Sequence, residues 1–189
     1  LYRLHQGNDL NEDRYSKINR FTGYWQNPDY LFNKREYLLD KLKKDKRFKI
    51  DKEEGGNKSE TLIHIRKGDY VNWEESLPDK FYLESLKLLK EKVGNFEYDI
   101  FTDEIQINNR EKVYREAKNI YTGENEEVLE VFSNMMHYKN YIISNSSFSF
   151  FAAYLSSNEN TYVIYPDPWF KSLNVEIAKN QGWFPLSSN

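Results

Sequence analysis

Past Ser59 the chain alternates short apolar, β-rich runs with longer stretches whose apolar residues recur at helical spacing. The clearest run is Thr61-Leu62-Ile63-His64-Ile65, in which Leu62, His64 and Arg66 share one face and Ile63 and Ile65 the other. The same pattern predicts strands at 61–66, 98–102, 118–121, 140–144 and 161–165. Between and after them it predicts helices at 78–93, 105–117, 125–138, 146–156 and 172–181. Pro78 in a first turn and Gly94 just past the end frame the first of these helices. Strands alternating with helices imply right-handed crossovers, so the expected fold class is α/β, a Rossmann-like parallel sheet with helices on both faces. No GxGxxG follows any strand, which argues against a dinucleotide dehydrogenase.

Upstream the pattern is weaker. Residues 1–26 read as polar and irregular until Phe21-Thr22-Gly23-Tyr24-Trp25-Gln26. Asn27 then offers a cap and Pro28 a first helical turn, with Tyr30, Leu31, Tyr37, Leu38 and Leu42 at roughly helical spacing. The helix fades into the basic run 41–47, a solvated helix end, and 51–59 reads as a charged, Gly-rich loop. The expected organisation is a connecting segment over 1–59 and a Rossmann-like domain over 60–189.

Composition narrows the function classes. With a net charge of −3, no global basic field recruits nucleic acid, so any anion must be held by a local cluster. Absence of cysteine removes disulfides and thiolate metal sites, and no DxD or helical His/Glu pair suggests a metal ion. With no secretory h-region and no long apolar run, a cytoplasmic protein is the expectation, peripheral association with an inner membrane being the alternative. A start at Leu1 rather than Met looks like an excised piece.

In a parallel sheet the carboxyl ends of the strands line one crevice, and three strand ends carry chemistry. Arg66 follows the first strand, with Lys67, Gly68 and Asp69 after it; a guanidinium there suits a phosphate, and the plainer reading is an Arg and an Asp tying down a turn. Asp103, after the second strand, is either an acceptor for adjacent N–H donors such as a guanine edge or the N-cap of a helix starting near Ile105. Ser144-Asn145-Ser146-Ser147 opens a helix and forms a ready anion site, or simply a cap.

In this order, HIRKGDY at 64–70, FTDE at 101–104 and IISNSSFSFFAAYL at 142–155 resemble the α-1,2-fucosyltransferases, glycosyltransferase family eleven, with support from GYWQNPDYL at 23–31 and VIYPDPWF at 163–170. The resemblance implies one half of a GT-B-type enzyme, GDP-L-fucose as donor substrate with no further cofactor, no metal, inverting transfer, and a galactose-containing glycan as acceptor. It places Arg66 and Asp69 in the catalytic role, Arg66 on the diphosphate and Asp69 supporting the turn. His64 and Asp103 would contact the guanine, while Lys67, Ser146, Ser147 and Phe148 would surround the phosphates. The family's glycine-rich opening stretch does not occur here, so the resemblance is to the donor-binding half. Phe150-Phe151 stands where paired Trp is common and Tyr138 where Cys is common; both are expected to be packing changes.

Overall fold

The computed structural model describes residues 4–6, 20–22, 34–46, 48, 59–104, 106–107, 111–172 and 182–188. In chain order these form β1 (Leu4–Gln6), β2 (Arg20–Thr22), α1 (Arg35–Lys43), β3 (Thr61–Ile65), α2 (Gly68–Asn72), α3 (Asp79–Val93) and β4 (Tyr98–Thr102). Then follow α4 (Lys112–Arg115), β5 (Asn119–Tyr121), α5 (Val128–Met135), β6 (Asn140–Ile142), α6 (Ser147–Ser156), β7 (Tyr162–Asp167) and β8 (Phe184–Ser187).

Six of these strands make one all-parallel sheet in the order β5-β4-β3-β6-β7-β8. The chain steps outward from β3 through β4 to β5, then returns to lay β6 on the other flank of β3. The direction of winding therefore reverses between β3 and β6, the place where doubly wound sheets open a ligand crevice.

Helices cover both faces, so β3, β4 and β6 are buried along their whole length. One apolar layer joins Leu62, Phe101 and Tyr141 of the sheet to α6 and α5, with Leu39 of α1 at its margin. The other joins Ile63, Ile65 and Ile100 to Phe81 and Leu89 of α3 and Val113 of α4. Leu62 on one side and Ile63 with Ile65 on the other is the alternation read from the sequence.

Several elements differ from that reading. β8 was not foreseen; Pro185 is poor in a strand interior but tolerable here, because β8 is the edge of the sheet. β7 runs on through Pro166, whose nitrogen faces the β6 side, where pairing has already stopped at Ile164. The strand expected at 161–165 thus extends to Asp167. α2 forms one short helix where a turn alone was expected. α4 starts only at Lys112, after Glu111 as its cap, much later than the predicted 105–117. The stretch 1–26, read as irregular, contains the parallel pair β1 and β2, Leu4 beside Arg20, too short to leave a periodic signal. The expected helix at 172–181 and loop at 51–59 fall mainly outside the described residues, as does the helix start expected at Asn27 and Pro28.

Candidate functional site

A cleft of about 470 Å³ opens over the carboxyl ends of β3, β4 and β5 and the start of α6. All three strand-end segments picked from the sequence reach it: His64, Arg66 and Asp69 from the first, Asp103 from the second, and Ser146, Ser147 and Phe148 from the third. Lys67 does not line it; its ammonium acts instead on Glu111 and partly offsets the upward push that burial gives that carboxyl.

Arg66 is held between two carboxylates. Its Nη2 donates to Asp69 Oδ1 at 2.8 Å and its Nη1 pairs with Asp103 Oδ2 at 2.9 Å, while its Cζ lies 5.4 Å from the centre of the Tyr70 ring. A guanidinium has about five N–H donors, so most of them remain for a ligand. Asp103 also accepts the Lys67 backbone N–H at 2.7 Å through Oδ1. Each of its oxygens thus bonds to the β3 end, a link between β3 and β4; the helix start expected near Ile105 falls outside the described residues. Gly68 is required for this link. Its φ is +21°, and a Cβ there would overlap the Asp103 carboxylate.

His64 is buried, yet its ring forms part of the cleft wall. Its Nδ1 lies 2.7 Å from Ser144 Oγ, and burial, with the Arg66 charge adding to it, brings its pKa down to about 3. The ring is therefore neutral near pH 7. Beside it α6 presents its N-terminus. Ser146 caps this helix by accepting the Phe148 N–H at 3.3 Å, as the plainer reading expected, and it also faces the cleft. Capping leaves the positive end of the helix dipole directed at the crevice. The Phe148 ring stands 6.4 Å from that of His64.

Further lining comes from residues that sequence reasoning passed over. Tyr121, Thr122, Gly123 and Glu126 form the far wall after β5, and Tyr70 and Trp73 the near one. The sheet-edge rule, applied to the end of β5 as it was to β3 and β4, would have pointed to Thr122 and Gly123. Glu75 was missed as well. Its carboxylate accepts the backbone N–H groups of Lys171 and Ser172 at 2.8 and 3.0 Å, and its carbonyl accepts from Asn145 at 2.8 Å. Burial works against the charge on Glu75, but the Ser172 hydroxyl and those amides outweigh it and hold the carboxyl below the usual carboxylate range. Tyr70 OH donates to Asn145 O at 3.2 Å, so the HIRKGDY and SNSS segments are tied together.

Fold and cleft together define a doubly wound α/β protein with an anion-capable crevice at its switch point. The chain belongs to glycosyl transferase family 11, whose model matches residues 2–187. It is 30% identical over 166 residues to an alpha-1,2-colitosyltransferase of Escherichia coli, covering 80% of this chain and 56% of that protein. Over 140 residues it is 27% identical to the O-antigen biosynthesis glycosyltransferase WbnK of Escherichia coli, covering 69% and 45%. The chain thus spans about half the length of the curated relatives it matches. No solved structure matches it. Among the described residues, no helix is long and apolar enough to cross a membrane.

Proposed function

We propose that this chain is the donor-binding half of a transferase that moves L-fucose from GDP-fucose to a hydroxyl of a galactose-containing acceptor, with inversion and without a metal. The observation that carries the reading is the convergence of Arg66 and the α6 N-terminus on one cleft at the β3–β6 switch point.

In this reading the leaving group is a nucleoside diphosphate, so the site must stabilise negative charge growing on the β-phosphate rather than protonate a poor leaving group. Arg66 does so with the N–H groups that Asp69 and Asp103 leave over, and the α6 N-terminus adds its dipole and the hydroxyl of Ser147. Asp69 and Asp103 hold the guanidinium in one orientation. His64 and Asp103 read the guanine, Asp103 through carboxylate lone pairs that its two existing bonds leave free. Phe148 walls the phosphates.

A second reading has specific support: the relative at 30% identity is described as a colitosyltransferase. Colitose is fucose without its 3-hydroxyl, so the same nucleotide site would serve and only the sugar pocket would differ. A third reading is a chain that binds the donor and transfers nothing.

Titration calorimetry with GDP and UDP tests the nucleotide, and transfer assays with GDP-fucose and GDP-colitose test the sugar. Tight GDP binding with UDP excluded supports the donor site. Equal binding of both, or of neither, by folded protein would sink it. A site built around the 3-hydroxyl discriminates strongly against the sugar that lacks it, by up to about 10⁴-fold.

A further inference from the structure

His64 can meet a ligand either as a hydrogen-bond donor or as an acceptor, and the structure contains the group that chooses. Pairing between β3 and β6 stops at Ile63 opposite Ile142. One step on, where the strands part, the side-chain bond from His64 Nδ1 to Ser144 Oγ spans the gap at 2.7 Å. Ser144 is wholly buried, 0% exposed, so its hydroxyl hydrogen needs an acceptor inside the protein.

The partner described for that hydroxyl is the imidazole nitrogen. If Nδ1 carried a hydrogen and donated it, the Ser144 O–H would be left without an acceptor among the described residues, in a place water does not reach. The 2.7 Å distance accommodates a bond in either direction, so the buried hydroxyl decides the donor. With Nδ1 accepting, a neutral ring carries its hydrogen on Nε2. Burial and the adjacent Arg66 charge keep the ring neutral, and the ring forms part of the cleft wall.

We infer that Ser144 is a positioning residue: it holds His64 as the Nε2–H tautomer, so that the cleft presents an N–H donor there and selects a ligand whose facing atom is an acceptor. Identifying that ligand rests on the nucleotide reading above; the tautomer itself does not. On that reading the facing atom is an acceptor of the guanine or a phosphoryl oxygen. Ser144 touches no ligand and acts only through the imidazole.

Long-range ¹H–¹⁵N spectra of the nucleotide-free chain at pH 7 read the tautomer directly. The sequence has three His, so His64 is assigned by comparison with His64→Gln. In the unsubstituted protein, Nε2 is expected in the range of a protonated ring nitrogen and Nδ1 in the range of a bare one. Ser144→Ala moves both toward the average of exchanging tautomers, and Ser144→Cys, a weaker donor of similar size, gives an intermediate shift. GDP binding, by calorimetry, weakens about threefold to tenfold in Ser144→Ala, the worth of one ordinary hydrogen bond. A hydrogen on Nδ1 in the unsubstituted protein overturns the inference, without need of any variant. So does a tautomer that Ser144→Ala leaves unchanged. If the tautomer responds as expected and neither protein binds GDP, the role of Ser144 stands and the nucleotide reading falls.

Discussion

The Asp103 carboxylate stands where a side chain on residue 68 would have to be, with its Cγ 3.3 Å from the position of a Cβ on Gly68 and Oδ2 nearer still. From there it takes the Lys67 N–H and the Arg66 guanidinium at once. The glycine after Arg66 is thus explained by a residue at the end of another strand as much as by its own turn.

Gly68→Ala should therefore disturb the cleft as well as the local backbone. A positive φ and a collision with a pinned carboxylate predict a loss of about 1–3 kcal/mol in unfolding free energy. Chemical denaturation measures it, and GDP titration should show weakened binding in the part that still folds. An unchanged midpoint would mean that Asp103 moves aside at no cost.

Arg66→Lys and Arg66→Ala separate charge from geometry. Lys keeps the charge but cannot serve Asp69, Asp103 and a phosphate as one planar fork. GDP affinity is expected to fall about tenfold in the Lys variant and about a hundredfold in the Ala variant, the scale of charge-assisted bonds. Stability should change by less than about 1 kcal/mol in either case, because the pairs are partly open to water. Calorimetry and thermal unfolding on the same samples check both.

The pH dependence of stability should carry the signature of a buried neutral histidine. The folded-state pKa of His64 is brought down to about 3, from the ordinary histidine value of about 6.5. Between those values the unfolded chain binds a proton that the folded chain refuses, so stability rises with pH across that window and is lost on acidification, by at most about 1.4 kcal/mol per unit. His64→Gln should flatten that part of the curve. Denaturant midpoints at a series of pH values give the comparison, and identical slopes would rule the assignment out.

Tyr138→Phe tests the opposite edge of the sheet. Asp99, fully buried at the start of β4, accepts from Ser59 N at 3.2 Å, Asn119 Nδ2 at 2.9 Å and Tyr138 OH at 2.8 Å. Tyr138 is thus more than a packing change, since its hydroxyl serves a buried carboxylate. Removing it should cost about 1–3 kcal/mol and leave GDP affinity unaltered, because neither residue reaches the cleft. A variant that unfolds like the parent would show that the two other donors suffice.

The sequence by itself determined five of the six strands of the sheet, the two faces of β3, and the three segments that meet at the cleft. Those properties depend on residues within a strand or a turn of one another: Leu62 against Ile63 and Ile65, or Ser146 two positions before the Phe148 N–H that it caps. Only the tertiary structure decided the rest. Strand order put β6 beside β3, bringing Ser144 onto His64 and choosing between donor and acceptor. Packing turned Asp103 toward Arg66 and the Lys67 N–H, and left the Lys67 side chain out of the cleft lining. It also admitted a proline-bearing edge strand at β8 that local propensity disfavours. Each of these rests on contacts between residues tens of positions apart, whose free energy exists only once the sheet has assembled and which leave no periodic trace along the chain.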